Sequence, residues 1–398
     1  MAGALEQHTR VCYLDHAATS WPKPRAVGEA MVRTMTAAGG NPGRAGHLLS
    51  LRAAECVYRA RECAAAFFGS QSPENVLFYP NATYAINAVL HGLLRGGREP
   101  VHVLVSEMEH NAVIRPLYAL EQAGNIVWET YPVFRGRSGM LSRVEILSQI
   151  RARLRRNTAL VCACHVSNVC GARLPIAQIG AMCREMRVPF LVDASQSAGI
   201  YDIDLRRDNI DYLCTAGHKA LLGPQGSGLL LIGDGAPVLS SFVQGGNGVA
   251  SLSAAMPELL PEAMEAGTLA VPAIAGLEAG MRYLSAIGID TVRGECHMLY
   301  ARLREMLLSL PGVHLCQGML TEGTALSFTV DGISCMQCAE RLSDAGICVR
   351  AGFHCAPLPH RAFGTGEDGT VRVSVGHGST RRDAERFYRE MRRITGGS

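Results

Sequence analysis

Between residues 101 and 233 the chain repeats one pattern, a short apolar run followed by a longer stretch with apolar positions at helical spacing. VHVLVS (101–106), NIVWETY (125–131), ALVCACHVS (159–167), VPFLVDAS (188–195), DYLCTAG (211–217) and GLLLIG (228–233) read as strands. Runs this continuously apolar are buried on both faces. Helices are expected ahead of them at about 50–68 and 83–94, and between them at about 112–123, 143–155 and 175–186. Strands alternating with helices in this way build a mostly parallel sheet covered on both sides, so the expected fold class is α/β.

The pattern breaks near residue 234 into QGGNGVASLSAAMPELL, which reads as a surface loop near an active site or a subunit boundary. A helical segment is expected from about 271 through 308. ALSFTV (325–330), CMQCAERLSDAG, ICVRAG and TVRVSVG (370–376) then suggest a smaller α+β domain. The expected division is a large domain over 15–285 and a small one made of 1–14 and 286–398.

Composition excludes several classes. The formal charge of +3 over 398 residues, with Arg151 to Arg156 as its densest basic patch, gives nucleic-acid binding no support. No stretch approaches about 18 uninterrupted apolar residues and the N-terminus has no signal-like segment, so no membrane span and a cytoplasmic location are expected. Fourteen cysteines lie scattered through apolar segments, which reads as reduced thiols rather than a disulfide framework. Cys162 and Cys164 read as core residues of a buried strand. Cys335 and Cys338 form CMQC, but no second pair at zinc-ribbon spacing follows, and no metal site is assigned.

Of 38 basic residues only Lys23 and Lys219 are lysines. Arginine stays protonated, whereas a desolvated lysine amine can act as a base or join a carbonyl carbon. Lys219 lies in AGHKALLGPQGSG directly after a strand, where glycines permit close backbone approach to a ligand. A purely structural lysine in a glycine-rich loop is the alternative. Asp193 emerges from a very apolar strand in VPFLVDASQS and needs a partner, because an unpaired buried charge is costly. Capping of a helix by Asp193 or Ser195 would be one answer. An acid for a pyridinium nitrogen, matched with a lysine for an aldehyde, is the protein signature of pyridoxal phosphate.

YLDHAAT, EHNAV, HVSNVCG, VDASQS, GHK, EAGT, RAGFHCAP and VRVS follow one another in the order found in a known family. Over nearly the whole chain, from Tyr13 to Thr380, the sequence resembles the cysteine desulfurases, with selenocysteine lyases as near relatives. These belong to the class V, fold-type I pyridoxal-phosphate enzymes. The resemblance implies a seven-stranded, mostly parallel large-domain sheet, pyridoxal 5'-phosphate as cofactor and conversion of L-cysteine to L-alanine.

Carried over position by position, it implies that Lys219 anchors the cofactor and then serves as the base, while Asp193 pairs with the ring nitrogen. His110 would stack on the ring, and Asn168 and Gln196 would meet its hydroxyl. Ala82, Thr83 and His218 would hold the phosphate, and Thr268 would reach the phosphate of a neighbouring subunit in a homodimer. Arg372, Ala17 and Asn168 would bind the substrate. Cys355, with Arg350, His354 and His360 as positive neighbours, would take the sulfur as a persulfide and pass it to an acceptor protein; its short loop is similar to that of the second desulfurase group.

L-Selenocysteine as substrate, β-elimination without Cys355, and a non-catalytic sulfur-relay scaffold remain alternatives. The chain departs from the family at His16, Ala216 and Ser379, where asparagine, serine and asparagine are usual. Loss of the serine removes one expected phosphate hydroxyl.

Overall fold

The structure is a computed structural model that describes residues 11–43, 46–96, 99–136, 139–316 and 322–396. A seven-stranded sheet forms its centre, with strands in the order Val76–Tyr79, Gly228–Ile232, Tyr212–Ala216, Phe190–Asp193, Thr158–Cys164, Val101–Ser106 and Ile126–Tyr131. Only Gly228–Ile232 runs against its neighbours. The six strands read from sequence are all present. The seventh, Val76–Tyr79, is four residues long and forms the edge beside Gly228–Ile232.

Successive residues of these strands enter different cores. Val103, Val105, Leu191 and Leu230 pack in one apolar cluster with the helices Ala82–Leu94 and Asn111–Gln122. Leu104, Val192, Leu229 and Leu231 pack in the other, which continues into the C-terminal part of the chain. Both faces are therefore dry, as the unbroken apolar runs require.

The expected helical segment from 271 to 308 is two helices, Val271–Ile287 and Ile289–Leu308. Gly288 separates them with φ of 90°, a conformation that favours glycine. A four-stranded antiparallel sheet follows, in the order Arg350–Gly352, Thr370–Ser374, Ala325–Val330, Val313–Leu315. The short strand Cys12–Tyr13 pairs in parallel with Ile347–Cys348, and the Ser374 amide donates to the Leu14 carbonyl. Residues 12–15 thus run beside the C-terminal sheet, and the Ala17 carbonyl then accepts from Gln196, which follows the central strand Phe190–Asp193.

Candidate active site

Four parallel strands deliver their ends to one place. Thr158–Cys164 and Phe190–Asp193 end on Cys164 and Asp193, Tyr212–Ala216 leads into Gly217, His218 and Lys219, and Val101–Ser106 leads to His110. The crevice beyond the carboxyl ends of such strands is where open α/β sheets bind ligands. A cavity of about 170 Å³ lies there. Its lining includes Ala82, Thr83, His110, Asn168, Asp193, Gln196, His218 and Lys219, nearly all the cofactor-contact residues expected from sequence.

Asn81 caps the helix Ala82–Leu94, its side-chain oxygen accepting from the Tyr84 amide. The preceding first-turn amides face outward with the positive end of the helix dipole. Gly228 makes this approach possible, because a Cβ on it would stand 2.4 Å from the Asn81 backbone. Cys164, read from sequence as a strand core residue, and Ser195, read as a possible helix cap, also line the cavity, as does Asn81, to which the sequence reading gives no role. A residue three before Tyr84 with a capping side chain was the available signal for Asn81.

Lys219 carries the cavity's amine. Burial pushes it down to about 8, with the Asp193 carboxylate opposing that shift. Asp193 is buried and accepts from the Ser195 amide in a turn, not at a helix start. His110 caps the helix Asn111–Gln122 by accepting from the Ala112 amide at 3.0 Å, and burial lowers its ring to about 4. His218 is likewise lowered to about 4, chiefly by burial, and its Nδ1 lies 3.1 Å from the Thr19 hydroxyl. Both rings are neutral at physiological pH. Ala216 is buried in the cavity wall where the serine is missing.

Lys219 and Gln196 also border a smaller hollow with His16, Ala17 and Thr324. Gln196 donates to the Ala17 carbonyl at 2.8 Å, and the Ala17 amide donates to Ser374 Oγ. The departures His16 and Ser379 meet each other there, Oγ to Nε2 at 3.1 Å. Arg372 is fully buried, and the two-pronged carboxylate grip expected of it is partly occupied from within. Its Nη2 pairs with Asp15 at 2.7 Å and its Nη1 donates to the Asn168 carbonyl, while Nε has no partner among the described residues. Asp15 lies in the YLDHAAT motif, and nothing in that motif alone pairs it with Arg372.

Cys355 is the one cysteine of fourteen whose side chain is exposed. Its loop is tied to the cavity wall by the Asn111 amide on the Cys355 carbonyl (2.8 Å) and by Asn168 Nδ2 on the His354 carbonyl (2.6 Å). His354 and Cys355 both have positive φ, 51° and 57°. Arg350 Nη2 lies 3.8 Å from Cys355 Sγ. The positive surroundings expected from sequence reduce to that arginine, because burial pushes His354 down to about 2 and His360 to about 4. Thr268 does not line the cavity. It is exposed, 3.3 Å from Asn41 Nδ2.

The family model described as Aminotransferase class-V matches residues 12–387, which takes in every strand and side chain just described. The chain belongs to that family. Among class-V relatives, a probable cysteine desulfurase of Pseudomonas aeruginosa is 34% identical over 383 residues, covering 94% of this chain and 92% of that one. One from Mycolicibacterium paratuberculosis is 30% identical over 392 residues; the alignment covers 97% of this chain, but the chain spans only 55% of that relative's length. Among solved structures, apo cysteine desulfurase from Thermococcus onnurineus superposes with a TM-score of 0.88 at 28% identity, over 98% of this chain and 95% of the other. The class-V fold therefore extends through the C-terminal sheet.

Cys335 and Cys338 are buried in the helix Cys335–Asp344, and the Cys335 thiol donates to the Asp368 carbonyl. Among the described residues no group of three or more His, Cys, Asp or Glu could hold a metal ion, and no helix is long and apolar enough to cross a membrane.

Proposed function

We propose that this protein is a pyridoxal-phosphate-dependent cysteine desulfurase that converts L-cysteine to L-alanine and takes the sulfur onto Cys355. The observation that carries the reading is the joining of Lys219, Asp193 and an open helix N-terminus in one cavity, with an exposed cysteine loop bonded to its wall.

The cavity suits the cofactor on its own chemistry. Asn168 Oδ1 and Ser195 Oγ are buried there with no partner among the described residues, as polar atoms awaiting a ligand would be. Asp193 would hold the ring nitrogen, Lys219 the aldehyde, and the Ala82 and Thr83 amides with His218 the phosphate. His110 would cover the ring face, and Asn168 and Gln196 its hydroxyl. Bound there, pyridoxal phosphate supplies an electron-accepting ring that makes the α-proton of an amino acid removable.

The chain's residues do the rest. Lys219, lowered toward neutrality by burial, takes the α-proton and returns one to the product. Arg372 turns its fork to the substrate carboxylate, with the Ala17 backbone beside it. Cys355 sulfur forms a bond to the substrate's sulfur as the carbon–sulfur bond breaks; the carbon keeps the electron pair, is protonated and becomes the alanine methyl. Cysteine and the Cys355 thiol thus become alanine and a persulfide, with no external oxidant or reductant. An acceptor protein then unloads the sulfur at the exposed loop.

The reading extends to a homodimer with Thr268 given to the partner's phosphate site. Exposed Leu48, Leu51, Tyr58 and Val249 lie on the elements that surround Thr268 and Asn41, where a second copy would cover them. The division at residues 14 and 285 is part of the same reading. Purified protein should be yellow and should release alanine from L-cysteine; a colourless Lys219→Ala protein that forms no alanine supports the anchor, and an unchanged spectrum in that variant removes it.

A further inference from the structure

The two lysines of the chain come together in space. Lys23 Nζ lies 2.5 Å from the His218 carbonyl oxygen and 2.6 Å from Ser20 Oγ. Ser20 Oγ in turn lies 2.7 Å from the Lys219 carbonyl oxygen, and the Ser20 amide and Thr19 hydroxyl also reach the His218 carbonyl. The His218 carbonyl belongs to the peptide that precedes the Lys219 Cα, and the Lys219 carbonyl to the one that follows it. Both peptide planes that aim the Lys219 side chain are therefore held by the segment from Thr19 to Lys23.

An ammonium only donates. With Lys23 donating to Ser20 Oγ, the single Ser20 hydroxyl proton is directed to the Lys219 carbonyl. Two acceptors converge within 2.6 Å of one nitrogen, which a compact ammonium with three donors can serve and a planar guanidinium, with its donors spread over a fork, cannot. That accounts for lysine at this position in a chain whose other Lys and Arg positions, Lys219 apart, are all arginine.

We propose that Lys23 is a positioning residue for the reaction: it fixes the His218–Lys219 turn and so holds the Lys219 amine at the cavity. The inference rests on the cofactor-anchor reading of Lys219 only for its consequence, not for its geometry.

The test exploits the scarcity of lysine. Acetylation of Lys219 in the full-length chain stripped of cofactor is assigned unambiguously by mass spectrometry. A charge-assisted bond of about 2 kcal/mol, lost in Lys23→Met, corresponds to about thirtyfold faster acetylation of Lys219. In the loaded protein the same variant should lose pyridoxal-phosphate absorbance to hydroxylamine several-fold faster, with weaker induced circular dichroism in the cofactor band. Lys23→Arg should behave as Lys23→Met does. Lys23→Gln takes the place of the methionine variant if that protein does not fold. Acetylation within twofold of the parent, or full restoration by arginine, overturns the proposal. A labelling contrast in a protein that binds no pyridoxal phosphate would uphold the positioning and overturn the anchor reading instead.

Discussion

Arg350 and Arg372 stand directly opposite one another on adjacent antiparallel strands, and each turns to a different partner. Arg372 is buried against Asp15 and the Asn168 carbonyl, whereas Arg350 leans toward the Cys355 thiol. Like charges placed directly across a sheet repel, and Asp15 is the counter-charge that makes the arrangement tenable. One strand pair thereby joins the expected carboxylate clamp to the expected nucleophile.

Replacing Arg372 by methionine should separate these roles. Removing one partner of a buried, hydrogen-bonded charge pair costs about 2–5 kcal/mol, which predicts at least a thirtyfold fall in kcat/KM for L-cysteine and a lower unfolding midpoint. Adding Asp15→Asn to Arg372→Met should recover stability without recovering activity, as steady-state alanine release and urea titration would record. Recovery of both would mean that Arg372 only holds the fold.

Arg61 and Glu265 form a second buried pair, with the Phe78 amide also on Glu265. The pair ties the helix Leu48–Phe67 to the edge strand Val76–Tyr79 and to the segment that leads to Thr268. Glu265→Ala leaves Arg61 uncompensated and should destabilise the protein by about 3 kcal/mol. If Thr268 completes a neighbouring site, cofactor retention should weaken as well, measured by absorbance after gel filtration.

Ala216→Ser places a hydroxyl in the cavity wall where the family usually has one. A hydrogen bond to a charged group contributes about 1.5–3 kcal/mol, so pyridoxal-phosphate affinity should rise at least about tenfold. Fluorescence titration of the stripped protein measures it, and unchanged affinity would mean that the phosphate does not lie against Ala216.

Acid should destabilise the fold before carboxylate protonation alone would. Burial lowers His16, His110, His218 and His360 to about 4, His165 to about 3 and His354 to about 2. Between about pH 6.5 and 4 the unfolded chain binds protons at these rings and the folded chain does not, so stability falls as pH falls through that window. Glu109, raised to about 7 by burial, works the other way between about 4.5 and 7, as do Asp211 and Glu265, which burial also raises, but they are three groups against six. Urea midpoints at pH 7.5 and pH 5 should differ in favour of pH 7.5; equal midpoints would contradict the burial of these rings.

Much of this was legible in the sequence because burial on both faces leaves uninterrupted apolar runs. Val101–Ser106 and Ala325–Val330 begin and end where the residues alone placed them. Val76–Tyr79 is too short, at four residues, for periodicity to mark it, and the helices Arg25–Ala37 and Arg381–Ile394 lie outside the strand–helix alternation that makes the rest legible. The chemistry-bearing residues were found through strand ends and motif order. What stayed hidden depends on contacts between distant parts of the chain: Asp15 on Arg372, Lys23 on the Lys219 turn, His16 on Ser379, and the burial that leaves His354 and His360 uncharged.

The proposed function turns on Cys355 receiving the sulfur. Incubating the holoprotein with a small excess of L-cysteine and no reductant, then measuring Cys355-containing peptide mass alongside alanine, tests it directly. One added sulfur atom on Cys355, alanine formed in proportion, and no alanine from a folded Cys355→Ala variant are expected. Alanine released at the parental rate by that variant, with free sulfide in place of a persulfide, would contradict it.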